Sequence, residues 1–112
     1  MRLKSEIWVQ ALLRRCAVQG LNGAVLHRGA EEAGAVYVVI NHLDGLHHLL
    51  VPPPGPAYNE DGERQFELAY PEPQPWLPLS AYIAKRRKSD PDIWVVEIED
   101  RNGLAGLEPR QS

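Results

Sequence analysis

One short run of the chain, Ala35-Val36-Tyr37-Val38-Val39-Ile40, is apolar at every position. β-branched and aromatic residues at that density predict a buried strand, and a strand that does not alternate needs cover on both faces. The flanking patterns supply candidates for that cover. Ser5 to about Val18 reads as a helix in which Trp8, Val9, Leu12, Leu13 and Cys16 make a wide apolar stripe, while Glu6, Gln10 and Arg14 make a wet one. Ser5 or a neighbour is its expected N-cap and Gly20 its stop. Asn22-Gly23 turns the chain into a strand from Ala24 to Arg28, and a polar turn over Gly29 to Gly34 leads into the central run.

Asp44-Gly45 between apolar runs predicts a tight hairpin into a strand from His47 to Val51, with Leu43 facing Leu46 and His42 facing His47. The Pro52 to Pro56 run ends that strand, and Asn59-Glu60-Asp61-Gly62 completes a surface loop. Gln65 to Tyr70 alternates, placing Phe66, Leu68 and Tyr70 on a dry face and Gln65 and Glu67 towards water. A second proline cluster, Pro71 to Pro78 around Trp76, precedes a helix from Leu79 to Lys88 and a last strand from Ile93 to Asp100. The elements predict a single α+β domain over residues 1–103, with residues 104–112 a loose C-terminal tail. Its architecture is an antiparallel sheet of about five strands packed on the N-terminal helix, with the second helix inserted before the last strand. Ala35 to Ile40 and Ile93 to Val96 are dry on both faces, yet only two helices are available. Either the Trp76 proline loop folds over the remaining apolar face or a second copy of the chain covers it, and a homodimer is the favoured cover.

Composition narrows the class. The 112 residues suffice for one core without disulfide or metal staples, and a net charge of −3 disfavours a surface built wholly for nucleic acid or an anionic membrane. Cys16 stands alone, which excludes an internal disulfide, a zinc ribbon and a CxxC motif and suits a reducing cytoplasm. The apolar stretch near the N-terminus is broken by Gln10 and ended by Arg14-Arg15, so neither a signal peptide nor a membrane span is read there.

Three sets of residues together resemble one bacterial family: Arg2-Leu3-Lys4-Ser5-Glu6-Ile7-Trp8-Val9, then Arg28-Gly29 with Ala33-Gly34-Ala35, and Asp90-Pro91-Asp92-Ile93-Trp94-Val95-Val96-Glu97-Ile98-Glu99-Asp100. That family is domain of unknown function 1491, and the ending is the most specific part. The resemblance spans nearly the whole chain and implies a small bacterial cytosolic protein. It carries no catalytic or ligand residues with it. The stretches Pro52 to Pro56 and Pro71 to Pro78 depart from it.

No residue constellation specifies a reaction. His42 and His47, converging from two strands with Asp44 between them, could begin a metal site, but His48 is expected on the opposite face and a transition metal wants three or four ligands. Glu97, Glu99 and Asp100 offer carboxylates, though Glu97 and Glu99 at strand spacing read more simply as a wet face. Lys85-Arg86-Arg87-Lys88 complements the negative end of its helix dipole, which accounts for it without a nucleic-acid partner. Cys16 falls on the dry stripe of its helix and reads as a small buried hydrophobe. Phosphate cradles, nucleophile elbows and metalloprotease motifs are absent from the sequence. No cofactor or metal is expected. The favoured reading is a non-enzymatic binding or interaction module that contacts itself or another protein. The alternatives are a small enzyme or ligand-binding protein using His42 and His47 with Glu97 or Glu99, and a weak nucleic-acid binder through Lys85 to Lys88.

Overall fold

In the computed structural model, which describes residues 2–110, the chain runs α1 (Ser5–Val18), β1 (Gly23–His27), β2 (Val36–Asn41), β3 (His47–Val51), β4 (Glu67–Leu68), α2 (Trp76–Ser89) and β5 (Trp94–Glu99). The five strands form one sheet in the order β1-β5-β2-β3-β4, so the α+β architecture is as the pattern predicts and the all-apolar run takes the centre. Most pairings are antiparallel, but the central one, β2 with β5, is parallel. The chain leaves β2 through β3, β4 and α2, and this crossover is long enough to bring it back to the starting end before β5.

Register sorts the apolar side chains between two cores. Val36, Val38 and Ile40 lie level with Trp94, Val96 and Ile98 of β5, and this face buries Val9, Leu12 and Cys16 of α1. Val39, Leu49, Val51 and Val95 face the other way and bury Leu79 and Ile83 of α2. Two helices thus cover both dry segments within one chain, and the shortage of cover that suggests a second copy does not arise. α2 manages this partly by beginning at Trp76 and not at Leu79, because a proline in a first helical turn, here Pro78, gives up only an N–H that has no partner there.

Local chemistry decides one expectation left open and corrects two others. Of Ser5 and its neighbours it is Lys4 that holds the cap position, without a side-chain cap bond, and the N–H groups of Ser5 and Glu6 bond the carbonyls of Glu32 and Glu31, each at 3.0 Å. The Ser5 hydroxyl is buried and donates to Gly34 O at 2.5 Å. The strand expected from Gln65 to Tyr70 shrinks to β4, since the chain bends ahead of Pro71 and carries Tyr70 to the α2 side while Phe66 and Leu68 stay on the α1 side. Residues 104–110 do not trail loosely. Ala105 is fully buried, Leu104 and Leu107 pack on the α1-side core, and Arg110 N–H donates to Phe66 O at 2.7 Å.

The three sets of residues that carry the family resemblance meet at one corner. A Cβ on Gly29 or Gly34 would collide with the Asp92 carbonyl, which accepts from Ala30 N–H at 2.9 Å. Trp94 Nε1 donates to Ala30 O at 2.8 Å, and Arg28, paired with Glu6, lies over the Trp94 ring at 5.1 Å. These contacts fasten α1, the turn before β2 and the start of β5 to one another.

Candidate functional site

The histidine hairpin forms, in a different register from the one expected. Asn41 Oδ1 accepts from Leu43 N–H at 2.8 Å and Asp44 Oδ1 from Leu46 N–H at 3.0 Å, while Leu43 (φ 61) and Gly45 (φ 89) take left-handed conformations. Three residues therefore lie between His42 and Leu46, whose backbones are joined by a 3.1 Å bond, and His47 is opposite Asn41, not His42. A one-residue slip exchanges faces. His48 is the imidazole that meets His42, with Nδ1 2.8 Å from His42 Nε2 and the rings edge-on. His47 turns to the α2 side, where it is buried against the Trp76 ring at 5.4 Å.

The hydrogen-bond chain fixes tautomers. His42 Nδ1 lies 2.7 Å from the Asp100 carbonyl, which can only accept, so Nδ1 carries a hydrogen. Neutral His42 then accepts at Nε2 from His48 Nδ1–H. Burial first, and then the neighbouring His42, lower the His48 pKa from the usual 6.5, with Glu72 opposing. Among the described residues no three His, Cys, Asp or Glu side chains converge as metal ligands.

The other candidates are dispersed. Glu97 and Glu99 lie on β5 with Val95, on the face opposite His42 and His48, and Glu99 accepts from Asn22 Nδ2 at 3.2 Å. They share that face with His47, but β2 separates β5 from β3. Asp100 is occupied as an acceptor for the backbone N–H groups of Asn102, Gly103 and Ala105. Lys85 to Lys88 are exposed at the end of α2, on the layer opposite Arg14 and Arg15, so the structure does not join them into one basic surface. Cys16 is fully buried, and burial pushes its thiol pKa up, which keeps it protonated.

Sequence reasoning passed over Arg64. Asn59 Oδ1 accepts from Asp61 and Glu63 N–H, both at 2.9 Å, and Gly62 (φ 82) closes a small hairpin that sets Tyr58 opposite Arg64. Arg64 Nη2 donates to Tyr58 Oη at 2.8 Å and Ser5 Oγ at 3.1 Å, and its guanidinium lies 5.1 Å from the Tyr58 ring centre and 5.5 Å from that of Trp8. It borders an open cleft of about 680 Å³ and a smaller apolar pocket of about 160 Å³. An arginine in a polar loop gives no periodic signal. The Asn59-to-Gly62 turn was legible, but what the turn aims at was not.

No curated protein matches the sequence. Among solved structures, the solution structure of protein Atu0922 from A. tumefaciens is 35% identical, with a TM-score of 0.82 over 99% of this chain and 98% of that one. A crystal structure of a DUF1491 family protein from Caulobacter crescentus is 38% identical, with a TM-score of 0.78 over 96% of this chain and 97% of that one. An NMR structure of a DUF1491 family protein from the same organism is also 38% identical, with a TM-score of 0.75 over 100% and 99%. Residues 3–108 match the family described as "Protein of unknown function (DUF1491)", a span that holds both helices, all five strands and the corner where the resembling residues meet, and the chain belongs to that family.

Proposed function

We propose that the protein is a non-enzymatic interaction module of the cytoplasm that acts as a homodimer, joined through the free edge of β1. The observation that carries this reading is the edge itself. β1 pairs with β5 on one side only, and Gly23-Ala24-Val25-Leu26-His27 contains no proline, lysine, arginine or carboxylate to guard the other. Val25 and Leu26 are 40% and 48% exposed. β1 bulges between Val25 and His27, so an antiparallel pairing of two copies would run over Gly23–Val25, setting Ala24 against its own copy and Gly23 against Val25, with no like charges opposed. A lone, buried cysteine suits a reducing compartment. The separation of the His42–His48 pair from Glu97 and Glu99 by the sheet argues against an acid–base site built from them.

Light scattering after size exclusion, across a dilution series, tests the dimer. The expected result is a dimer at micromolar concentrations that Leu26→Lys converts to a monomer with unchanged far-UV circular dichroism. A wild-type monomer at every concentration would sink the edge-pairing reading.

A further inference from the structure

We propose that Arg64, with Tyr58 and Trp8, forms a binding site for a small organic monocarboxylate with a compact apolar body. Eleven of the chain's 12 lysines and arginines are exposed, and Arg64 is the one that is not. The ion pairs among the described residues, Lys4 with Glu32 and Arg28 with Glu6, leave it without a carboxylate. Its two hydrogen-bond acceptors, Tyr58 Oη and Ser5 Oγ, are neutral hydroxyls. Its Nε–H is closed off from solvent and has no acceptor among the described residues. A guanidinium withdrawn from water in this way is ordinarily paired with an anion. Here it is also held in place before any ligand arrives, clamped between two aromatic rings and tied to α1 through Ser5, so that little freedom remains to be lost on binding.

The surroundings select the ligand class. On one side of Arg64 the smaller pocket is walled by Ala35, Val36, Pro52, Ala57 and Phe66, with Tyr58, Gln65 and Arg64 itself supplying its polar groups. At about 160 Å³ it lies below the roughly 300–1,000 Å³ of sites for drug-sized ligands, so the apolar body must be small. On the other side the open cleft carries Asp61, Glu63 and Glu108 as well as Arg15. Three carboxylates repel a phosphate or another multiply charged anion more strongly than a single carboxylate, and a planar carboxylate matches the guanidinium fork. The site shares no residue with the β1 edge, so it stands or falls independently of dimerisation.

Titration of the whole protein with butyrate and benzoate, followed by amide and arginine Nε–H NMR shifts, tests the assignment, with benzamide and inorganic phosphate as controls. The expected result is saturable shifts at Arg64, Tyr58 and Phe66 at millimolar concentrations or below, with none from benzamide and weaker ones from phosphate. Arg64→Lys, which keeps the charge but loses the fork, should weaken binding at least about tenfold. Ala57→Leu, which fills the pocket and leaves the clamp intact, should abolish it, and this variant serves where an Arg64 substitution disturbs folding. Absence of saturable shifts with either carboxylate would overturn the site. Equal binding of phosphate, or undiminished binding by the Ala57 variant, would overturn the ligand class.

Discussion

His42 and His48 share a hydrogen bond that holds one added proton but not two. With His42 Nδ1–H committed to the Asp100 carbonyl, His42 Nε2 accepts from His48 Nδ1–H, a bond that a proton added to the far nitrogen of His48 leaves in place. A second proton would set two N–H groups against each other at 2.8 Å. Burial and the nearby His42 already hold the His48 pKa below the usual 6.5 in the folded protein. The unfolded chain therefore takes up that proton first as the pH falls. This contribution to stability is complete above about pH 6.5 and is lost as the pH drops towards the lower folded value. Urea unfolding should show a lower midpoint at pH 5 than at pH 7.5, and His48→Gln should flatten that difference. A pH-independent midpoint in the wild type would refute the coupling. His42 and His48 were both visible in the sequence as hairpin histidines, but their pairing depended on the left-handed Leu43, a conformation no local rule assigns to leucine.

The two helices are distinguished less by their apolar content than by where their few buried residues land. α2 buries only Leu79 and Ile83 deeply, yet these, with Tyr70 and Tyr82 at the margin, close the face over Val39, Leu49 and Val95. Leu79 is fully buried, whereas Leu77 in the same helix is 80% exposed. Leu79→Ala should cost about 3 kcal/mol and Leu77→Ala no more than about 0.5 kcal/mol, read from urea denaturation at constant slope. Comparable losses for both would mean that α2 does not cover the sheet as described. The stripe of α1 was readable because a 14-residue helix presents its period several times over. α2 was harder to bound, since prolines flank and enter its first turn and its second half is basic.

For the molecule as a whole, closure of the α1-side core depends on the C-terminal segment. Asp100 accepts the Ala105 N–H at 2.9 Å, and Leu104, Ala105 and Leu107 complete the packing around Cys16, Phe66 and Ile98. Deleting residues 104–112 should lower stability by on the order of 2–4 kcal/mol, visible as a lower thermal midpoint and a lower urea midpoint. Unchanged midpoints would restore the segment to the status of a tail. The same closure explains why the apolar sheet faces need no second chain and why the remaining exposed strand surface lies at the β1 edge.

The sequence alone determined the elements, the central place of Ala35 to Ile40 and the burial of Cys16, because those follow from side-chain period and from short-range turn chemistry. It also carried the family resemblance, since the residues involved are contiguous within each set. Only the tertiary structure decided that β2 and β5 run parallel, that His42 meets His48 and not His47, and that Arg64 sits between Trp8 and Tyr58 with no carboxylate partner among the described residues. These depend on the path of a long crossover, on a single left-handed residue and on contacts between positions 5, 8, 34, 58 and 64. Local pattern is blind to them because their energies arise between segments far apart along the chain.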